Sequence, residues 1–265
     1  MKKILAIMLA LTFIFALSAC GEIEGSDKEY ITEKGELVVG ITYFAPMNYL
    51  DDDNKLTGFE TDFATAVCEE LGLKVKFQEI SWDAKETELS SKNIDCIWNG
   101  MTITEEREAN MSISQPYMQN KQVLVMKKDA AEKIKSSDDL KDMTIVAEKE
   151  SAGEKVVNSD GYFTGVSYVA VDTQAKALTE VKSGTADGAV VDYVASIGMI
   201  GEGTDYEELV VVGGASFSPE KYGIAFRKGS DMTAEVNKAI NKLIASGKLE
   251  EIAAKYKLEE QIIKG

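Results

Sequence analysis

The chain has 265 residues, no histidine, three cysteines and a formal net charge of −16. Without histidine it lacks the commonest general base and metal ligand, so Ser-His-Asp and Cys-His catalytic devices are excluded. Its excess of acid disfavours nucleic acid, whose phosphates need clustered Lys and Arg for neutralisation.

Lys2 and Lys3 precede an apolar run, Ile4 to Leu17, that ends at Leu17-Ser-Ala-Cys20. This is the layout of a secretory signal, and the run is shorter than the roughly twenty residues a membrane span needs. The last four residues resemble a bacterial lipobox, which implies a signal peptide over residues 1–19 and lipidation of Cys20. A flexible tether is expected over residues 20–34. Two cysteines then remain, Cys68 in a helical pattern and Cys96 in an apolar strand. They read as buried free thiols first and a disulfide second. With two thiols and no histidine, no metal site is expected.

Past the tether, short β-branched runs alternate with helical stretches, the signature of an α/β fold. Leu37 to Ile41 reads as a strand and Phe59 to Leu71 as a helix with apolar residues recurring at three and four. Val75 to Ile80 follows as a strand. A helix from Asp83 to Ser91 comes next, with Glu86 completing a capping box, and then the strand Ile94 to Trp98. Strands at Val123–Met126, Thr144–Ala147, Ser167–Val171 and Ala189–Val191 form a second series, with helices near Ser151, Thr173 and Asp192. Tyr222 to Phe226 reads as a last strand. An amphipathic helix carrying Met232, Val236, Ile240, Leu243 and Ile244 follows, then Gly247 and a shorter helix through Leu249, Ile252 and Tyr256. Asn120–Lys127 and Phe217–Phe226 are extended and can cross between two lobes, which places a cleft at the carboxyl ends of the strands.

Several segments in order resemble the polar amino-acid-binding proteins of ABC importers. They are Leu37-Val-Val-Gly-Ile41, Pro46-Met-Asn-Tyr49, Leu56-Thr-Gly-Phe-Glu60 with Asp62, Asn99-Gly-Met-Thr-Ile-Thr-Glu-Glu-Arg107, Ser114-Gln-Pro-Tyr117 and Lys221-Tyr-Gly-Ile-Ala-Phe226. The resemblance covers nearly all of residues 35–260. It implies a two-lobed periplasmic-binding-protein-like fold of type II, with ligand in the inter-lobe cleft and two crossover strands as hinge. Lobe 1 is expected over 35–119 and 222–262, and lobe 2 over 120–221.

The residues at these motifs suit a zwitterion. Thr104 can cap a helix holding Glu105, Glu106 and Arg107, and a guanidinium grips a carboxylate with two parallel hydrogen bonds. By resemblance, Arg107 and Thr102 take the ligand α-carboxylate, while the Gly100 carbonyl and Asp192 take its ammonium. Ser151-Ala-Gly-Glu154 is a capping-box pattern at a helix start, where free N–H groups and the dipole favour an anion. The resemblance implies that this turn serves the same carboxylate, which adds Ser151 and Ala152 to that site. Tyr43, Phe44, Trp82, Asn99 and Glu148 are expected around the ligand side chain. Glu148 stands where relatives often carry an uncharged residue, and reads equally as a cleft acid or a solvated charge. The loop at Tyr43 lacks the family's frequent aspartate, having Thr42.

The resemblance implies a monomer that delivers a polar amino acid, cystine among the candidates, to an ABC permease with a separate ATPase. The membrane is met only through the lipid anchor, on the extracytoplasmic side, and no cofactor is expected. The chain has no Walker A sequence of its own. The rival readings are a sensory binding protein and a dehydratase on the same fold, for which Glu148 would be the acid.

Overall fold

The computed structural model describes residues 26–264. The expected signal peptide and Cys20 lie outside them. The strands are β1 Glu36–Ile41, β2 Tyr49–Leu50, β3 Leu56–Thr57, β4 Lys74–Glu79, β5 Cys96–Ile97 and β6 Met111–Ile113. After them come β7 Met118–Lys127, β8 Thr144–Glu148, β9 Ser167–Val171, β10 Gly188–Asp192, β11 Leu209–Tyr222 and β12 Ala225–Arg227. The helices are α1 Asp27–Lys34, α2 Phe59–Leu71, α3 Lys85–Ser90, α4 Glu105–Asn110 and α5 Lys128–Ala131. The later ones are α6 Ala152–Ser159, α7 Gln174–Ser183, α8 Tyr193–Met199, α9 Met232–Ala245 and α10 Lys248–Lys255.

Two five-stranded sheets result, in the orders β4-β1-β5-β12-β6 and β11-β7-β10-β8-β9. In each, four strands share one direction and a single strand, β12 in the first and β7 in the second, runs antiparallel to its neighbours. β7 leaves the first lobe and β11 returns to it, and they pair from Met118↔Tyr222 to Leu209↔Lys127. Along β7 one face reads Asn120, Gln122, Leu124, Met126, because side chains alternate across a strand. Its apolar end sinks into the second lobe's core with Ile145, Val156 and Phe163, while its polar end reaches the cleft.

The first lobe's core joins Phe59, Phe63, Trp98, Tyr117 and Tyr222 to α9 and α10. Phe63 and Trp98 meet edge to face at 5.0 Å between ring centroids, an arrangement aromatic quadrupoles favour. Val194 and Ala195 of α8 belong to this same cluster, so the second lobe leans directly on the first. Cys68 and Cys96 are both buried and both free.

Four expectations need correction. Residues 27–34 are helix, not tether: Ser26 caps it by accepting from Glu29 N–H, and Ile31 is fully buried. The box between Asp83 and Glu86 does not form. Residues 82–84 are a 3₁₀ turn, α3 starts at Lys85 without a side-chain cap, and Asp83 is taken by Ser81 and Lys149. The strand expected over Tyr222–Phe226 is two pieces, with Tyr222 ending β11 and Ala225 opening β12. Gly223 at the join has no room for a side chain, since a Cβ there would stand 2.6 Å from Ile113. Tyr43 packs against the first lobe's core and is absent from the cavity lining described next.

Candidate functional site

The carboxyl ends of β1, β4, β5, β8, β9 and β10 face one another across the cleft, and each turn that follows brings a polar or aromatic group. They enclose a cavity with an empty volume of about 270 Å³. Its walls are Phe44, Trp82, Asn99, Gly100, Thr102 and Arg107 from the first lobe, with Glu148, Ser151, Ala152, Gln174 and Asp192 from the second. Ten of these eleven were expected from the sequence, Gln174 being the addition. A wider groove adjoins at Thr102, Arg107, Ser151 and Ala152, and reaches Lys85 and Glu220.

Arg107 is set in the first turn of α4, whose cap is Thr104 Oγ1, accepting from Arg107 N at 3.2 Å. Its Nη1 donates to the Thr102 carbonyl at 2.9 Å, and Nη2 reaches the Glu150 carbonyl of the opposite lobe at 3.3 Å. A guanidinium has five N–H donors, so three remain for another acceptor. The group lies 5.8 Å from the Trp82 ring centroid, within cation–π range. Opposite stands the N-terminus of α6. Ser151 Oγ accepts from Glu154 N at 3.1 Å, and the Glu154 carboxylate reaches Glu150 N rather than its own cap. Neither Ala152 N–H nor Gly153 N–H has an acceptor among the described residues. Gly153 is required by close packing, because a Cβ there would stand 2.9 Å from the Val190 carbonyl. A fork of N–H groups and a helix start thus converge on one spot, a recurrent way to hold a carboxylate.

Asp192 occupies the N-cap position of α8 without capping it. Its Oδ1 accepts from Asn120 Nδ2 at 2.8 Å and from Gln122 Nε2, and its Oδ2 from Gln174 Nε2. Burial pushes its carboxyl upward, against the pull of these donors. Gly100 adopts φ +56°, and a Cβ there would stand 3.0 Å from Phe44. Its N–H donates to both oxygens of Glu60, at 2.9 and 3.2 Å. Glu60, 1% exposed, also accepts from Asn48 Nδ2 at 2.9 Å and from the Tyr117 hydroxyl. Burial nevertheless raises its carboxyl to about 7.

At the far end, Asn99 is tied to the first strand. Its Oδ1 accepts from the Thr42 hydroxyl at 2.6 Å and its Nδ2 donates to the Thr42 carbonyl at 2.9 Å. Thr42, standing where an aspartate was looked for, therefore orients Asn99. Glu148 is a cleft acid, 5% exposed and raised to about 8, first by burial and then by the charge of Asp192. Trp82 has its indole N–H buried without a partner among the described residues. Lys85, 4% exposed, donates to the Trp82 carbonyl at 3.1 Å, and burial lowers its ammonium. At the rim, Lys149 of the second lobe pairs with Asp83 of the first at 2.8 Å.

Sequence reading missed Glu60, Lys85, Asn120, Gln122, Gln174 and Glu220. The readable signal lay in β7, where a face that is apolar at Leu124 and Met126 turns polar at Gln122 and Asn120. No cluster of acids, cysteines or histidines fit to hold a metal occurs among the described residues. None of the described helices is long and apolar enough to cross a membrane.

Two α/β lobes on a pair of crossover strands, with a polar cavity between them, define a two-lobed binding protein of type II periplasmic-binding architecture. The model of the bacterial extracellular solute-binding proteins, family 3, matches residues 37–259, and this chain belongs to that family. It is 29% identical over 261 residues to the arginine-binding extracellular protein ArtP of Bacillus subtilis (strain 168), covering 97% of this chain and 98% of that one. It is 31% identical over 271 residues to the L-cystine-binding protein TcyA of the same organism, covering 97% of each chain. Among solved structures, a mutant of ArgBP from T. maritima superposes with a TM-score of 0.78 at 30% identity, covering 87% of this chain and 98% of that one.

Proposed function

We propose that this chain is a lipid-anchored extracytoplasmic binding protein that captures an L-α-amino acid between its lobes and hands it to an ABC permease. One observation carries the reading. A single cavity has Arg107 and the α6 N–H groups at one end and Asp192 with the Gly100 turn at the other. Opposite charges lining one cavity suit a zwitterion, and an analogue lacking either charge would leave a buried partner unsatisfied. Arg107, Thr102, Ser151 and Ala152 hold the carboxylate, and Asp192 and the Gly100 carbonyl hold the ammonium. Phe44, Trp82, Asn99 and Glu148 surround the side chain.

Glu148 and Glu220 add acid that no salt bridge answers among the described residues. That excess favours a side chain that brings hydrogens or positive charge, so L-arginine leads the candidates, ahead of L-glutamine, L-histidine and cystine. The Leu17-Ser-Ala-Cys20 sequence supports the lipid anchor. Mass spectrometry of the protein from membranes would show acyl chains on Cys20, and an intact Met1 would refute them.

The test of binding is a thermal-shift panel on protein stripped by unfolding and refolding, run against each common L-amino acid and cystine. A compound that binds only the folded state stabilises by about 2.7 kcal/mol at one hundred times Kd. A shift with one or two compounds supports the reading, and no shift with any overturns it. The raised carboxyl of Glu148 gives a dehydratase reading its one foothold. Turnover of a prephenate-like acid would move the assignment there.

A further inference from the structure

Glu220 has no part in the zwitterion site as built so far, yet it shares two donors with Asp192. Asn120 Nδ2 donates to Asp192 Oδ1 at 2.8 Å and to Glu220 Oε1 at 2.5 Å. Gln122 Nε2 donates to the same two oxygens, at 2.8 Å on the Glu220 side. An amide NH₂ carries two hydrogens, so each of these side chains has one for each acid. Two bridges onto the same two oxygens hold them side by side. Strand register explains the meeting, since Asn120 is paired with Glu220 on β11 and Gln122 with Asp192 on β10.

Two carboxylates in contact do not both stay ionised unless a cation stands by them. Neither acid has an ion-pair partner among the described residues. The charged groups around them are Arg107 on α4, which is turned to the Thr102 and Glu150 carbonyls, Glu148 on β8 and Glu60 on α2. Lys85 on α3 faces Glu148 and Arg107, while Glu86 and Glu106 attend Arg107. The phenols of Tyr117 and Tyr222 are pushed well above their ordinary value, so they stay neutral. Burial raises both acids of the pair, and the neighbouring Asp192 helps bring Glu220 to about 8. One further group points to a cationic or hydrogen-bonding guest: Glu148 lines the same cavity as Asp192 without an ion pair among the described residues.

The geometry points to Glu220 as the second acid of the ammonium subsite: with Asp192 it holds one proton between them, and an arriving ammonium group takes that proton's place. The step balances simply. One carboxyl O–H breaks, the proton leaves to buffer, and two carboxylates share one ammonium. This rests on the amino-acid-binding reading above, and it makes Glu220 a determinant of how affinity responds to pH.

The experiment is titration calorimetry of L-arginine and of L-glutamine at pH 7, in phosphate and in Tris, whose ionisation enthalpies differ. Wild type should release close to one more proton per bound amino acid than Glu220→Gln. Its affinity should also rise between pH 6 and 8, by up to about tenfold per pH unit, with a shallower rise in Glu220→Gln. Glu220→Asp keeps a carboxyl beside Asp192 and should keep the released proton. Equal proton release by wild type and Glu220→Gln overturns the inference while leaving amino-acid binding intact. Failure of every amino acid to bind overturns both together.

Discussion

Arg107 holds its own position through two carbonyls, and what it offers a ligand is the remaining fork. Substitution by Ala should therefore lower amino-acid affinity at least about 30-fold, since leaving a buried charge unpaired costs about 2–5 kcal/mol. Arg107→Lys keeps the charge but not the planar fork, and should still weaken binding at least tenfold, as read by calorimetry. Binding by either variant within threefold of wild type would remove Arg107 from the carboxylate subsite. Arg107, Thr102, Ser151 and Asp192 meet in one cavity; the family resemblance pointed to all four, with helix-cap patterns beside Arg107 and Ser151 as local support. Tyr43 and Phe44 were both expected at the ligand side chain, but Phe44, bridged to Asn48, lines the cavity while Tyr43 packs against the core. Glu220 carried no local sign, because its partners Asn120, Gln122 and Asp192 stand 100, 98 and 28 residues away in sequence.

Among the elements, α2, α6, α7 and α9 begin where their sequence signals say, whereas α1 escaped notice. Its composition is almost wholly polar, and only Asp27 and Ile31 are buried. A Ser26-x-x-Glu29 start was present, but what fixes the helix is tertiary. Arg227 on β12 bonds Asp27 through Nε at 2.7 Å, Asp95 through Nη2 at 3.2 Å and the Ile94 carbonyl at 2.8 Å. Lys34 at the other end of α1 also reaches Asp95. All three members of the Arg227 cluster are at most 9% exposed. Removing the cation strands the buried Asp27 carboxylate and leaves Asp95 to Lys34 alone, which costs about 3–5 kcal/mol. Arg227→Met should lower the urea midpoint accordingly, while an amino acid at saturation still binds the folded fraction. A midpoint unchanged within error would mean that the cluster does not hold α1.

For the whole molecule, three raised carboxyls set how stability follows pH. Glu60 stands at about 7, and Glu148 and Glu220 at about 8, against an ordinary value of 4.5. Across that interval the folded chain holds protons that the unfolded chain gives up, so stability falls as pH rises. Each such proton contributes about 1.4 kcal/mol per pH unit. Acids with lowered values, such as Asp83 and Glu235, act only below the interval and do not offset this. Melts of ligand-free protein at constant ionic strength should show the midpoint dropping from pH 5 to pH 8, and less steeply in Glu148→Gln. A midpoint that climbs through the window would show these acids to be ionised in the folded chain.

The crossover pair also acts as a lever. β7 and β11 are hydrogen-bonded to each other from Met118↔Tyr222 through Asn120↔Glu220, and a two-stranded ribbon resists sliding and stretching far more than bending across its face. Its register breaks between Phe217 and Glu220, where Ser218 takes φ +43°. A bulge of this kind bends a strand, and this break lies nearer the crossing between the lobes than the other one in β11, between Val211 and Ser216. Distance from the crossing grows strand by strand, at about 4.8 Å each. Asp192 ends β10, next to β7, while Lys149 follows β8, one strand further out, and Asp83 follows the edge strand β4. Rotation about the crossing therefore sweeps Lys149 and Asp83 through the longest arc and the Asp192–Glu220 pair through the shortest. A change of angle there opens the rim of the cleft further than its floor.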